Sequence, residues 1–501
     1  MQTVHVRIND TATGQPTSAR VRFTDDAGNY FAPFGRLADF ATARSVDVGG
    51  NVRLDGRAFA LVDGSFEIRL PPDSLHVEVH KGPEFRPLVQ AIHQPPGKMA
   101  LRLTMKRWID LRRERWYSGD ARCHFLAPHA ALLEAAAEDL AVVNLLAMPS
   151  RVPGAHGREH PALASLLAFS GQRPIVESPG HLVVVNTRNS HARLGSLALL
   201  NCHRVVYPLQ FGPPEGLDNW TLADWCDQCH RKGGLVVWSR PERGPESFRF
   251  GEPLADLILG KVDAFEISAD DTSPADTLAD WYRLLAAGLR VPLVGASGKA
   301  GNDALLGAMR TYARLLPDEV FGYRSWIEAV RAGRTFATTG PLLTFEVAGQ
   351  DVGSVVRLSA GTERVRVRAE ARALEDFGEL EIVADGAVVA SARASGAPFT
   401  ATLDMEVAVP RIGWLAARCP SASPSSGSSV SFAHTSPVYV EVEGMPRSVD
   451  RAAVRFLADE LDAMRTWAND HARCETLKQR ADLLAVFDSA RAKLLAETQC
   501  T

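Results

Sequence analysis

The sequence predicts a multidomain chain: a central α/β domain flanked by β-sandwich domains, with a C-terminal helical hairpin. Three observations carry this. The chain has 501 residues, more than one hydrophobic core ordinarily organises, so about three or four domains are expected. Apolar residues alternate with period two on both sides of a middle stretch in which strand-like runs alternate with amphipathic helices. The tail from residue 447 instead spaces its apolar residues for helices.

Residues 1–107 alternate as Val4-Val6-Ile8 and Phe66-Ile68-Leu70, with DDAGN, VDGS and LPPDS as turns between them, and this predicts a small β-sandwich. In 108–340 the candidate strands are AVVNLL (141–146), HLVVVN (181–186), LVVW (235–238), VDAFEI (262–267) and VPLVG (291–295). PHAALLEAAAED, TLADWCDQCHRK and DTLADWYRLLAAG are the helices between them, two of them followed by the glycine expected past a helix end. Such alternation predicts a largely parallel sheet or barrel, with functional residues at strand C-terminal ends. Period two returns after TTGPLLTFEVAG, as in Val365-Val367 and Leu380-Ile382, so 341–446 is a second β-domain, with SASPSSGSS as a loop inside it. In 447–501 the apolar positions Val454, Leu457, Leu461 and Met464, then Leu483, Phe487, Ala490 and Leu494, fit two packed helices.

An apolar fraction of 46% and a charged fraction of 23% are those of soluble globular protein. A net charge of -4 gives no electrostatic case for nucleic acid or an anionic membrane as partner. No apolar run approaches the roughly 18 residues of a transmembrane helix, and MQTVHVRIND lacks the regions of a signal peptide. The expectation is a cytoplasmic protein as written, exported if a signal once preceded it. Seven scattered cysteines do not form a disulfide framework. Oligomeric state is left open.

Two motif matches carry little chemistry. HGREH (156–160) fits an inverted zinc-protease pattern that requires a helix, yet Gly154, Gly157 and Pro161 oppose one. CDQCH (226–230) fits the c-type haem pattern, but it lies inside an amphipathic helix, where two cysteines three apart read as half-buried core. A redox C-x-x-C needs a strand-to-helix turn instead.

WYSGDARCHF (116–125) is more informative. The small pair Ser118-Gly119 leads to Asp120 and His124, and Glu177 and His181 flank the Ser178-Pro179-Gly180 turn before the next long strand. Carboxylates and imidazoles at strand ends are what a metal-dependent hydrolase uses to hold cations and activate water. A lone Asp or His in a turn is more often a cap or a satisfied polar group.

Residues 108–345 resemble the PHP (polymerase and histidinol phosphatase) superfamily of metal-dependent hydrolases, in its CehA/McbA branch. The likeness rests on WYSGDARCH, ESPGHL, GGLVVWSRP, VDAFEI and VPLVGASGK. It implies a PHP-like distorted β/α barrel and a divalent metal such as zinc, manganese or iron, with Asp120, His124, Glu177 and His181 as ligands. It also implies a small anionic ester or phosphoester as substrate. The chain departs from the family pattern at Arg122 and Arg240, where histidines are expected, and at Gly298, where an aspartate is expected. Arginine stays protonated in proteins. At about 4 Å from a dication, with an effective dielectric near 20, it would repel that ion by about 8 kcal/mol.

Two readings follow. In one, the protein is a phosphoesterase-like hydrolase with a reduced site of one ion, where Arg122 and Arg240 hold an anionic ester or its transition state. In the other it is a catalytically inactive PHP-like pseudoenzyme that holds no metal, has arginines paired with Asp120 and Glu177, and binds a ligand or carbohydrate. His203, Glu266, Asp270 and Asp271 also follow strand runs and read either as site residues or as loop polar groups. Lys299 reads as an anion ligand or a solvated side chain.

Overall fold

A computed structural model describes residues 1–499 apart from 44–48, 154–158, 213–215, 240–246, 272, 410–412, 421–430 and 447–448. The serine-rich 421–429 stretch therefore lies outside the described residues. The protein is multidomain and rich in β-sheet, and ends in a pair of helices. It divides into two compact units: one comprises 1–185, 296–310 and 315–323, the other 186–295, 311–314 and 324–501. The stretch 108–340 contributes to both.

The first unit begins with the expected sandwich. Strand Gln2–Asp10 lies between Ser65–Leu70, antiparallel to it, and Ala100–Arg107, parallel to it. The facing sheet runs Asn51–Leu54, Arg57–Val62, Ala19–Asp25, Ser74–His80, Leu88–His93. Because side chains alternate across a strand, Val4, Val6 and Ile8 meet Val21, Phe23, Val77 and Val79 in one closed core. A second patch, Val52, Phe59 and Leu61, packs on Ala137 and Leu133 of helix Pro128–Ala137. The sandwich thus braces the helix that follows the first α/β strand.

That strand, Trp116–Cys123, and strand Val142–Pro153 flank this helix and pair in parallel, with Gly119 opposite Val142 and Asp120 opposite Val143. A parallel pair needs such a crossover. At the helix C-terminus the carboxylates of Glu138 and Asp139 collect cations: Arg20 reaches Glu138 at 2.8 Å, and Arg107 and Arg112 reach Asp139 at 2.8 and 3.2 Å. Lys81 donates to the Ala136 carbonyl, where a cation also complements the helix dipole. The helix that an inverted zinc-protease motif at HGREH would require, and that the sequence opposes, does not form at Glu159 and His160, which begin an extended strand, Glu159–Ala164; 156–158 lie outside the described residues.

The strand His181–His191 continues from Asn186 into the second unit, where it turns back as a hairpin, Thr187 opposite Leu199, into strand Gly195–Leu200. This strand runs antiparallel to Leu235–Ser239, which pairs in parallel with Ala264–Ser268. The expected largely parallel arrangement is therefore mixed here, because a short turn at Arg193-Leu194 replaces the helix a parallel connection requires. The helices occur as expected. Leu222–Arg231 starts with a capping box between Thr221 and Asp224, and Pro274–Ala286 starts with Ser273 accepting the Asp276 N–H. Gly233 and Gly288 follow them at φ of +73° and +85°, the left-handed geometry of a helix stop.

The second β-region has a five-stranded sheet centred on Leu342–Val347, Arg364–Ala373 and Phe399–Ala408. Val365, Val367, Ala369 and Ala371 are buried, whereas Arg366 and Arg368 face outward and pair with Asp404. Helices Arg451–Asp470 and Leu477–Gln499 close the chain, with Val454, Leu457, Leu461, Met464, Leu483, Phe487, Ala490 and Leu494 all buried. Among the described residues no helix is long and apolar enough to cross a membrane.

Phe487 is 1% exposed, so Phe487→Ala should lower unfolding free energy by about 3–5 kcal/mol. Urea denaturation followed by tryptophan fluorescence measures this. A loss below about 1 kcal/mol would mean that the helical pair does not pack as described.

Candidate functional site

The parallel strands bring Ser118 under the chain that enters Val142: its hydroxyl donates to the Asp139 carbonyl at 2.9 Å, and the Ala141 N–H donates to the Ser118 carbonyl at 2.9 Å. Asp120, two residues on, is fully buried. Its Oδ1 accepts the N–H groups of Arg122 at 3.1 Å and Ser297 at 3.0 Å, and its Oδ2 accepts the Gly307 N–H at 2.9 Å. Burial pushes the carboxyl pKa up, and these hydrogen bonds act against that rise.

Residues 297–299 lie along the end of this strand. The Gly298 N–H donates to the Arg122 carbonyl at 3.0 Å, and the His124 N–H donates to the Lys299 carbonyl at 2.7 Å. Gly298 has a φ of +66°, so the aspartate of the family pattern would carry backbone strain there. The His124 ring is buried and donates from Nδ1 to the Leu146 carbonyl at 3.0 Å. In the neutral ring this leaves the lone pair on Nε2.

Lys299 does not meet solvent, contrary to the reading of it as a solvated side chain. It is fully buried, donates to the carbonyls of Gly301 at 3.1 Å and Ala304 at 2.6 Å, and lies 3.6 Å from Glu134. Glu134 also accepts the Gly50 N–H of the sandwich at 3.2 Å. Arg122 is 4% exposed. The Cys123 thiol feels all four charges: burial, Asp120 and Glu134 push its pKa up, and Lys299 and Arg122 pull it down. Two acids and two bases therefore act on one buried thiol. Glu134 was not singled out from the sequence. The signal for it was a carboxylate interrupting the apolar stripe of an alanine-rich helix.

Glu177 and His181 do not join this cluster. The His181 ring donates from Nδ1 to the Leu140 carbonyl at 2.6 Å, before strand Val142–Pro153, whereas His124 bonds to Leu146 within it. Six residues of extended chain separate the two anchors by about 20 Å. Glu177 is exposed and pairs opposite Leu182, while His181 pairs opposite Ser178. Adjacent strand positions face opposite ways, so Glu177 and His181 do not share a face. His181 belongs instead to the cationic surroundings of Asp139. Burial first, then Arg112, lowers its pKa to about 4.

The remaining candidates scatter. Arg240 lies outside the described residues. His203 is exposed and donates to the Lys232 carbonyl at 2.9 Å. In the second unit Glu266 is buried and accepts the Ser239 hydroxyl at 3.2 Å, Asp270 accepts that of Ser268 at 2.6 Å, and Asp271 accepts the Ser273 N–H at 3.3 Å. Among the described residues, no group of three or more His, Cys, Asp or Glu is arranged to hold a metal ion. The Asp120 carboxylate is already engaged by three main-chain N–H groups. Comparison with protein-family models, curated proteins and solved structures gave no match.

The depressed His181 pKa makes a pH prediction. Between the unfolded value near 6.5 and the folded value of about 4, the unfolded chain binds the extra proton, so stability falls as pH drops through that window. The loss is at most about 3 kcal/mol. His181→Gln should flatten melting temperature against pH between 6.5 and 4 relative to the parent; parallel curves would exclude this role.

Proposed function

We propose that this chain is a PHP-like pseudoenzyme of the CehA/McbA type, whose former metal site is now a structural charge set and whose role is to bind a ligand rather than hydrolyse one. One observation carries the reading: the three main-chain hydrogen bonds to Asp120 hold its carboxylate in the scaffold. The crossover from strand Trp116–Cys123 to strand Val142–Pro153, with Asp120 and His124 at the strand end, supports the PHP-like ancestry. Lys299 lies 3.6 Å from Glu134, and Arg122 is buried two residues along the strand from Asp120, so bases rather than a metal ion would answer the buried acids. A buried carboxylate without such partners would be costly, and this pairing removes the need for metal. The arginine pairing expected for Glu177 is not needed, since that side chain is exposed.

The alternative, a phosphoesterase-like hydrolase with one ion, draws on the His124 tautomer, since an Nδ1–H held by a carbonyl is how a metal-binding histidine is oriented. Elemental analysis of protein purified without chelator, with an assay on an aryl phosphodiester and an aryl ester, separates the two. The pseudoenzyme should carry substoichiometric metal, turn over neither substrate, and melt at the same temperature with or without EDTA. Arg122→His should cost about 3–5 kcal/mol of stability without gaining metal, because it unbalances buried acids. About one equivalent of zinc, manganese or iron, with hydrolysis abolished by His124→Ala, would establish the hydrolase instead.

A further inference from the structure

The cysteines of CDQCH have separate surroundings. Cys226 and Cys229 lie on helix Leu222–Arg231, both buried. Burial first, and the buried Asp256 with it, pushes the Cys226 thiol pKa up. The Cys229 sulfur instead lies 3.3 Å from that of Cys202, in the turn after strand Gly195–Leu200. Gly234 makes the room, since a Cβ there would collide with both sulfurs.

The pair sits directly beneath the surface. Cys202 adjoins exposed His203 and Arg204, and Cys229 lies just before the turn at Lys232-Gly233. Hydrogen bonds lace the two turns together over the sulfurs: Asn201 Nδ2 to the Gly233 carbonyl at 2.8 Å, the His203 N–H and Nδ1 to the Lys232 carbonyl at 3.1 and 2.9 Å, and Lys232 Nζ to the Val205 carbonyl at 3.2 Å. These bonds lie in surface turns, where local opening costs least. Arg204 and Arg231 act on Lys232 at these turns, as do the two thiols. Positive charge at this turn attracts an anionic reagent, whereas burial holds the Cys229 thiol well above its ordinary range, so its reaction needs the turn to open to solvent.

We propose that Cys202 and Cys229 form a reversible disulfide by exchange with an anionic low-molecular-weight disulfide of the glutathione type, stapling the Asn201–Arg204 turn to the end of helix Leu222–Arg231. Cys202 loses its proton to solvent and attacks one sulfur of the reagent; the reagent's S–S bond breaks, one thiolate leaves, and a mixed disulfide remains. Cys229, deprotonated in turn, attacks the Cys202 sulfur and expels the second thiolate. Two protein thiols are oxidised and one small disulfide is reduced to two thiols. The staple closes a loop across 27 residues of sequence separation, which restricts the unfolded chain and raises stability.

The test treats the native full chain with glutathione disulfide, blocks free thiols with N-ethylmaleimide, and maps non-reduced peptides by mass spectrometry. Expected are a Cys202–Cys229 cross-linked peptide two hydrogens lighter than its parts, its loss on dithiothreitol treatment, and a higher melting temperature for the oxidised protein. Cys226→Ser should leave the link intact, and Cys229→Ser should stop at the mixed disulfide on Cys202. A link between Cys226 and Cys229 only, or thiols that react only after denaturation, would overturn the proposal.

Discussion

The first unit depends on one buried carboxylate. Asp120 joins the N–H of Arg122, two residues away, to those of Ser297 and Gly307, separated from it by 177 and 187 residues. Local chain geometry alone does not bring such distant segments together. The desolvated carboxylate needs donors, and the returning segment supplies two that would otherwise be buried unsatisfied. Once 297–307 is docked, the rest of the cluster follows. The Lys299 carbonyl receives His124, and its ammonium reaches Glu134 and the carbonyls of Gly301 and Ala304.

The same logic explains why the N-terminal sandwich belongs to this unit. Gly50 donates to Glu134, Arg20 pairs with Glu138, and Lys81 donates into the end of the same helix. Phe59 and Leu61 supply the apolar part of the contact. A helix carrying a buried acid near its middle and two acids at its end is thus held from both sides, by cations from the sandwich and by Lys299 from the returning segment. Glu134 itself is met by the Gly50 N–H from the sandwich and by Lys299 from the returning segment.

The secondary elements were legible because their signals are local. The period-two runs of the sandwich, the capping residues Thr221 and Ser273, and the 3.6-residue spacing of the C-terminal helices each depend on neighbours within a few residues. The mixed strand directions of the α/β stretch were not legible, since a hairpin at Arg193-Leu194 and a helical crossover both join two apolar runs. Nor was the fate of Cys229. The spacing in CDQCH pairs it with Cys226, yet its sulfur meets Cys202, 27 residues earlier.

By itself the sequence determined the β-rich, multidomain character of the chain, its terminal helical pair, and the prominence of the strand that carries Asp120 and His124. Tertiary structure alone decided which polar residues share a site. Asp120, His124, Glu177 and His181 all flank strands, but His124 and His181 are anchored at opposite ends of the stretch from Leu140 to Leu146, and Glu177 faces away from His181. Glu134 entered the cluster unannounced from a helix, and Lys299, read from the sequence as an anion ligand or a solvated side chain, meets it there from a distant loop. The reason is physical: proximity to a strand end is a local property, whereas which end, which face and which buried countercharge depend on register and on contacts between residues far apart in the chain.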